Sequence, residues 1–181
     1  MIALLSCNQQ ESESISKAKM TDVDTVGLNK VIPEKYKKLW GSGYWDKGEI
    51  IAISSYKKIT MERTGCYGTC PNYTIELFND GKIKYTGKEF VEKIGKYEGE
   101  LYLLFYGKLC YLIDEYFKKY SELNYIASWT DDEACNITLL TKDDKTIQIT
   151  DYGRQGPIEL WAIQKTIDGM LIDIDFTKTQ F

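Results

Sequence analysis

Two cysteines four positions apart are the residues of this sequence best suited to chemistry. They lie in the stretch RTGCYGTCPNY, residues 63–73, as Cys66 and Cys70. Such a pair can act as a thiol–disulfide redox centre, contribute ligands to a metal site or form a structural disulfide. Four residues of extended strand would separate their Cα atoms by about 13 Å, whereas a disulfide needs about 4.4–6.8 Å. The chain must therefore turn between them, and Gly68 supplies the backbone freedom for that turn.

A structural disulfide is the interpretation that we favour for Cys66 and Cys70. Pro71 fixes the exit of the turn into a following strand. Catalytic cysteine pairs owe their low thiol pKa partly to a helix start, whereas a strand is expected here, and the intervening Tyr67 and Thr69 carry no cation. An active thiol pair, a metal site and free thiols remain as alternatives.

Cys110 and Cys135 form a second possible pair, because a sheet covered by a helix could bring them together. Four cysteines permit three pairings, the sequence does not choose among them, and buried free thiols explain both residues equally well. A zinc site built from all four cysteines is less favoured, since only the first pair has a near-suitable spacing. We assign no catalytic residue, no metal site and no cofactor.

The composition narrows the possible functions. None of the 181 residues is histidine, which removes the usual general base near neutral pH and the commonest metal ligand. The net charge is −4 and the lysines are scattered among acids, so nucleic-acid binding has no electrostatic support. Histidine-dependent hydrolases and DNA or RNA partners are therefore excluded.

Acidic clusters and tryptophans are weaker candidates for function. Asp131-Asp132-Glu133 and the pair Asp173 and Asp175 lack the alternating ligands and glycine of a calcium loop, so solvated loop ends are expected. Paired carboxylates for glycoside hydrolysis depend on the fold, and no pair stands out. Aromatic residues could line a sugar or peptide groove, although most are expected in the core. The tryptophans are Trp40, Trp45, Trp129 and Trp161.

The N-terminal residues resemble the end of a signal peptide. Leu4-Leu5-Ser6-Cys7 is similar to the bacterial lipobox, in which lipid is attached to the cysteine sulfur and the chain is cleaved just before it. Only Met1-Ile2-Ala3 precede this box, where a signal peptide has a basic region and about 7–15 apolar residues. We expect residues 1–6 to be a signal-peptide remnant and residues 7–30 to hold the lipobox cysteine and a flexible polar tether. This predicts a bacterial cell-envelope protein, anchored to the membrane through Cys7 and facing the periplasm or the cell surface.

Residues 31–181 are expected to form a single globular domain, because the chain is long enough for one. Ile59, Met61 and Arg63 alternate with polar residues, and the same period in the next segments predicts half-buried strands. Asn79-Asp80-Gly81 predicts a hairpin turn. Strands are predicted at 50–54, 58–64, 73–78, 82–86, 90–94, 136–140 and 146–150, and helices at 33–40, from 101 to about 116, and from 157 to 171.

Hairpins rather than β-α-β alternation predict the fold class α+β. The expected architecture is one antiparallel sheet, made of a meander and a second hairpin, with about two main helices packed on one face. The apolar stripe of the longer helix is expected at Leu101, Leu104, Phe105, Leu109, Leu112 and Ile113.

The sequence resembles a bacterial family named domain of unknown function 6438. The resemblance rests on Cys66-Tyr67-Gly68-Thr69-Cys70-Pro71-Asn72-Tyr73, followed by Asn79-Asp80-Gly81, Thr130-Asp131 and Asp151-Tyr152-Gly153. It spans roughly residues 59–171. The resemblance implies a secreted or lipid-anchored protein with no agreed activity.

Two functional classes follow from these observations. The favoured one is a non-catalytic binding or structural module of the cell envelope that holds another protein or an envelope polymer through its loops or sheet face. The alternative is a thiol–disulfide or other envelope enzyme that uses the Cys66 and Cys70 loop.

Overall fold

The computed structural model describes residues 47–172 and 174–179. Within this part the chain forms three helices and eight strands. The helices are α1 (Lys47–Ile53), α2 (Leu103–Lys119) and α3 (Ile158–Met170). The strands are β1 (Tyr56–Arg63), β2 (Asn72–Phe78), β3 (Lys82–Glu89), β4 (Gly95–Glu100), β5 (Asn124–Ile126), β6 (Ala134–Thr141), β7 (Thr146–Tyr152) and β8 (Thr177–Lys178).

All eight strands belong to one open sheet in the order β5-β7-β6-β1-β2-β3-β4-β8. The meander from β1 to β4 and the hairpin of β6 and β7 are antiparallel, and β6 joins the two groups by pairing with β1. Only the β5 pairing with β7 is parallel among the described strands. The α+β class and the two predicted groups of hairpins are confirmed.

The core lies between one face of the sheet and the helices. Strand residues alternate between buried and partly exposed, as a sheet covered on one face requires. The buried apolar strand residues include Ile59, Met61, Ile75, Leu77, Ile83, Ile137, Leu139 and Ile149. Helix α2 adds two fully buried tyrosines, and the Tyr106 hydroxyl donates to the Tyr56 carbonyl at 3.0 Å.

The central hairpin follows the prediction closely. Ile59 pairs with Leu77, Met61 with Ile75 and Arg63 with Tyr73. Gly81 closes the turn between β2 and β3 with a φ of 92°, a conformation that side chains with a Cβ rarely adopt. The predicted hairpin of β6 and β7 and the helix that follows Pro157 are also present.

Two predicted strands are wrong. Residues 50–54 were expected to be a strand but belong to α1 and the residue after it, because a short apolar run fits either element. Ile50 is buried, and Ser54 caps the helix with its hydroxyl on the Ile50 carbonyl at 2.7 Å. Residues 90–94 form the turn before β4, with Phe90 at a φ of 52°.

Helix α2 also differs in its buried face. Phe105, which was expected in the apolar stripe, is 48 % exposed, whereas Tyr106, Cys110 and Tyr116 are buried. Tyrosine therefore replaces part of the aliphatic stripe, since a buried phenol is acceptable where its hydroxyl finds an acceptor.

Several predictions lie outside the described residues: the helix at 33–40, the tether at 7–30, Trp40, Trp45, Cys7 and Asp173. Among the described helices, none is long and apolar enough to cross a membrane.

Candidate functional site at the loop end of the sheet

Cys66 and Cys70 form a disulfide, with Cα atoms 5.6 Å apart. The turn between them is tight, because the Gly68 amide donates to the Cys66 carbonyl at 2.9 Å. The predicted structural pairing is therefore present in the loop between β1 and β2, which we call the disulfide loop (residues 64–71). It places Tyr67 outward, with 91 % of its surface exposed.

The disulfide loop is attached to a neighbouring loop, residues 127–133, which precedes β6. The Tyr67 amide donates to the Asp131 carbonyl at 3.2 Å, and the Thr64 amide donates to the carbonyl of Ala134, the first residue of β6, at 2.9 Å. The second loop carries Trp129, which is 51 % exposed and donates from its ring nitrogen to Asp132 at 3.1 Å. Two exposed rings thus lie on two loops that are bonded to each other.

Four loops meet at this edge, which we call the loop end of the sheet. They are the disulfide loop, residues 127–133, the turn at 90–94 and residues 153–157. Three of the four described non-glycine residues with positive φ lie here: Phe90, Asp131 and Arg154. Such conformations persist where the surrounding structure over-determines them, and they concentrate at functional sites.

Behind these loops, a row of polar residues crosses the buried face of the sheet. Tyr73 pairs with Arg63, Arg63 with Cys135, and Cys135 with Asp151. Each of the four is 5 % exposed or less, so the row departs from the apolar core next to it. Helix α3 covers the row from β7 to β2, because Gln164 donates to Asp151 at 2.8 Å and Asp168 lies over Arg63 and Tyr73.

Asp168 is the common partner of the central residues. Arg63 donates to its two carboxylate oxygens from Nε at 3.0 Å and from Nη2 at 2.8 Å. The Tyr73 hydroxyl makes a further hydrogen bond to Oδ1, and Lys165 reaches Oδ2 at 3.1 Å. This bidentate pair is a strong type of charge-assisted contact.

The buried position controls the protonation of these groups. Burial alone would raise the pKa of Asp168, but hydrogen bonds from Arg63 and Tyr73 outweigh burial and hold it below the ordinary value. Burial opposes the charge of Arg63 too, yet its bonds to Asp168 raise its pKa above the ordinary value. Burial, and then the charge of Asp168, raise the pKa of Tyr73. Asp168 is therefore ionised and Tyr73 neutral near pH 7, so neither is set up to exchange protons there.

Glu133 and Arg154 complete what we call the Arg63 cluster: Arg63, Tyr73, Glu133, Arg154, Lys165 and Asp168. Arg154 donates to Glu133 Oε1 from Nε at 2.9 Å and lies 2.8 Å from the same oxygen at Nη2. Glu133 Oε2 lies 3.8 Å from Arg63 Nη1. A cavity of about 330 Å³ is lined by the cluster together with Pro71 and Leu171. The disulfide loop therefore borders the cavity through the proline that follows Cys70.

A second cavity of about 450 Å³ adjoins the first, since both are lined by Pro71, Tyr73 and Leu171. Its other lining residues are Tyr85, Phe90, Val91, Glu92, Lys93, Ile172 and Phe176. Phe90 and Ile172 are 57 % and 83 % exposed, so apolar surface is open to solvent beside the charged cluster.

Cys110 and Cys135 do not form the second possible pair, since both are buried free thiols. Cys110 lies on α2 against the backbone of Ser55 and Tyr56, whereas Cys135 lies on β6 beside Arg63. Different elements hold the two sulfurs. Burial raises the pKa of each thiol to about 12, so both are protonated near neutral pH.

Two other expectations need correction. Glu133 was expected in a solvated acidic cluster, but it is 7 % exposed and paired with Arg154. Trp129 and Trp161 are 51 % and 45 % exposed rather than in the core. Asp175 is exposed as expected. Among the described residues, no group of three or more Cys, Asp or Glu has an arrangement that could hold a metal ion.

The Arg63 cluster is the part of the site that sequence reasoning missed. The signal was Arg63 itself, a cation at an inward position of an alternating strand, which requires buried partners. Nothing in the sequence identified Asp168, which lies 105 residues further along the chain.

A family model described as domain of unknown function (DUF6438) matches residues 57–171, more than half of the chain. The matched region begins in β1 and ends just after α3, so it includes the disulfide loop and the whole Arg63 cluster. No curated protein matches the chain.

Proposed function

The chain belongs to the DUF6438 family, and from that premise we propose that it is a non-catalytic module of the cell envelope that binds a partner protein through the loop end of its sheet. The observation that carries the proposal is the position of Tyr67 and Trp129. Both rings are exposed on loops that a disulfide and backbone hydrogen bonds hold in place.

Exposed aromatic residues on a fixed backbone suit binding. Tyrosine and tryptophan contribute much of the binding energy at protein interfaces, because they bury large surfaces at a low cost in side-chain entropy. A loop closed by its own disulfide has already lost part of the entropy that binding would otherwise remove. Tyr67 at the tip of that loop is therefore a favourable anchor for a partner.

The charged groups behind the loops suit a structural role rather than a catalytic one. Arg63 and Asp168 are bonded to each other, and Glu133 is bonded to Arg154. Catalytic acids and bases need a pKa near the operating pH, whereas the pKa of Asp168 is lowered and that of Tyr73 is raised. Arg63, Tyr73, Glu133 and Asp168 therefore serve to hold α3 and the loops in register.

The alternative, a thiol–disulfide enzyme, has less support. Cys70 leads through Pro71 into β2 rather than into a helix, so no helix N-terminus lowers a thiol pKa there. Arg63, three residues before Cys66, directs its guanidinium to Asp168. An insulin-reduction assay on the reduced protein tests this alternative, and turnover above that of the Cys66→Ser variant would support it.

Lipid anchoring through Cys7 belongs to the same proposal and rests on Leu4-Leu5-Ser6-Cys7. The complete precursor expressed in a bacterium should fractionate with membranes, and its Cys7→Ala variant should be released. Wild-type protein that stays in the soluble fraction with an intact Met1 would contradict the anchor.

Partner capture tests the binding function. The immobilised protein is incubated with solubilised envelope of the source bacterium, and retained proteins are compared with those held by a Tyr67→Ala, Trp129→Ala double variant. The matched control is Tyr102→Ala, because Tyr102 is 62 % exposed but precedes α2 at the opposite end of the sheet. We expect the loop-end variant to lose a protein that wild type and control retain. Equal retention by all three would contradict the proposal.

A further inference from the structure

The two cavities at the loop end form one groove with two chemically different parts. They share Pro71, Tyr73 and Leu171, and their volumes are about 330 and 450 Å³. The first part is lined by the Arg63 cluster, and the second mainly by aromatic and aliphatic side chains, together with Glu92 and Lys93. A ligand that fills both must combine a charged group with an apolar one.

The charges of the first part favour an anion with a single charge. Among the described residues, it is lined by three cations, Arg63, Arg154 and Lys165, and two carboxylates, Glu133 and Asp168, which leaves an excess of one positive charge. A doubly charged phosphate would lie beside the carboxylates of Glu133 and Asp168 with only one excess positive charge to offset its own two negative charges. A singly charged carboxylate of a ligand would be balanced by that excess charge.

The donors that face solvent belong to two of the cations. The side chains of Arg154 and Lys165 are 69 % and 51 % exposed, whereas those of Arg63 and Glu133 are 6 % and 9 % exposed. Arg154 uses Nε and Nη2 on Glu133, and Lys165 uses one contact on Asp168. Since guanidinium carries five N–H donors and ammonium three, both retain donors for a further carboxylate.

The second part offers an apolar surface directly beside these donors. The Tyr85 ring contacts the rings of Tyr73 and Phe176 in tilted arrangements, each at a centroid separation of 5.6 Å. Phe90 and Ile172 project at the opening, 57 % and 83 % exposed. An apolar side chain placed here would remove exposed hydrocarbon from water.

We propose that this groove binds the C-terminal residue of a partner polypeptide, with the α-carboxylate on Arg154 and Lys165 and a large apolar side chain against Phe90, Ile172 and Phe176. Because the two parts adjoin, a chain terminus suits the groove, since its last residue carries both a carboxylate and a side chain. This inference rests on the proposed binding function and names the part of the partner that is recognised.

Calorimetric titration with a short peptide tests the inference. The probe is N-acetyl-Gly-Gly-Phe as the free acid, compared with the same peptide as its C-terminal amide. We expect the acid to bind at least about tenfold more tightly, because the neutral amide has a single acceptor oxygen and no negative charge to pair with the two cations. Equal affinity of acid and amide, tighter binding of inorganic phosphate than of the acid, or no heat at about 10 mM peptide would overturn it.

Variants locate the binding. Arg154→Gln and Ile172→Glu should each weaken the acid about tenfold, and Lys145→Gln should leave it unchanged. Lys145 is a matched control, since it is 78 % exposed in the hairpin between β6 and β7, at the other end of the sheet. If Lys145→Gln weakens binding as much as Arg154→Gln does, the effect is one of net charge and the groove is not the site.

The two proposals can fail separately. One outcome is that the double variant Tyr67→Ala, Trp129→Ala abolishes partner capture while the acid and amide peptides bind with equal affinity. In that case the loop end binds a partner, but not through a chain terminus. If the acid binds selectively while capture is unaffected by the double variant, the groove inference stands and the loop surface is not the main contact.

Discussion

At the scale of residues, the decisive feature is the cation at the buried end of β1. Arg63 is 5 % exposed, and its guanidinium bonds Asp168 through two nitrogens. A charge at such a position is tolerated only when partners replace the water it has lost. The pair therefore fixes where α3 crosses the strands.

Replacing Arg63 by Met should destabilise the protein strongly. The variant leaves Asp168 and Glu133 without their shared buried cation, and breaking a buried pair costs about 3–5 kcal/mol. Lys58→Met on the same strand is the control, because its bond to Glu76 is on the partly exposed face and is worth about 1 kcal/mol or less. Urea unfolding measures the loss of unfolding free energy in each variant. Equal losses in the two variants would show that the buried Arg63 pair contributes no more than a surface ion pair.

The Asp168 carboxyl should make stability depend on pH. Because its pKa is held below the ordinary value, it stabilises the folded state above the unfolded pKa of about 3.9, and this contribution is lost as the pH falls through the lower folded pKa. The difference in unfolding free energy between wild type and Asp168→Asn should therefore shrink as the pH falls below about 5. A difference that grows on acidification would mean that the pKa is raised instead.

Much at this scale could be predicted from the sequence. The turn between Cys66 and Cys70 followed from the distance a disulfide allows, and the inward position of Arg63 followed from alternation. The partner of Arg63 could not be predicted, because contact between β1 and α3 depends on how the helix crosses the sheet. The exposure of Trp129 depends on a loop whose shape is fixed by bonds to another loop.

At the scale of elements, the disulfide loop joins the two central strands and supports the loop before β6. Removing the disulfide should lower the stability of the protein without changing its fold. A closed loop of this size contributes about 2 kcal/mol in the chain-entropy account. The double variant Cys66→Ser, Cys70→Ser should therefore melt about 4–8 °C lower with an unchanged far-ultraviolet circular dichroism spectrum. An unchanged melting temperature would show that the loop is held by its hydrogen bonds alone.

Elements with a strong hydrophobic period were predicted correctly, whereas short segments without a clear period were not. Strands β1, β2 and β3 alternate over six or more residues and were found, whereas the four apolar residues of 50–53 form a helix. The three-residue strand β5 is absent from the predicted strands, because its parallel pairing with β7 leaves no local pattern.

At the scale of the whole molecule, the two ends of the sheet differ in kind. The far end contains the hairpin turns at 79–81 and 142–145, with one residue of positive φ, Asp144, and the exposed rings of Tyr102 and Phe105. The loop end contains the disulfide, three strained residues, the buried charges and the exposed rings. Turns that only connect strands do not require such features, so the asymmetry supports the proposed binding role of the loop end.

The most direct test of that assignment is hydrogen–deuterium exchange of the protein alone and with its captured partner. The account predicts slower exchange on binding in residues 64–72 and 127–133, with no change at 79–81 and 142–145. Protection confined to the far-end turns or to the partly exposed face of β1, β2 and β3, with the loop end unchanged, would contradict it.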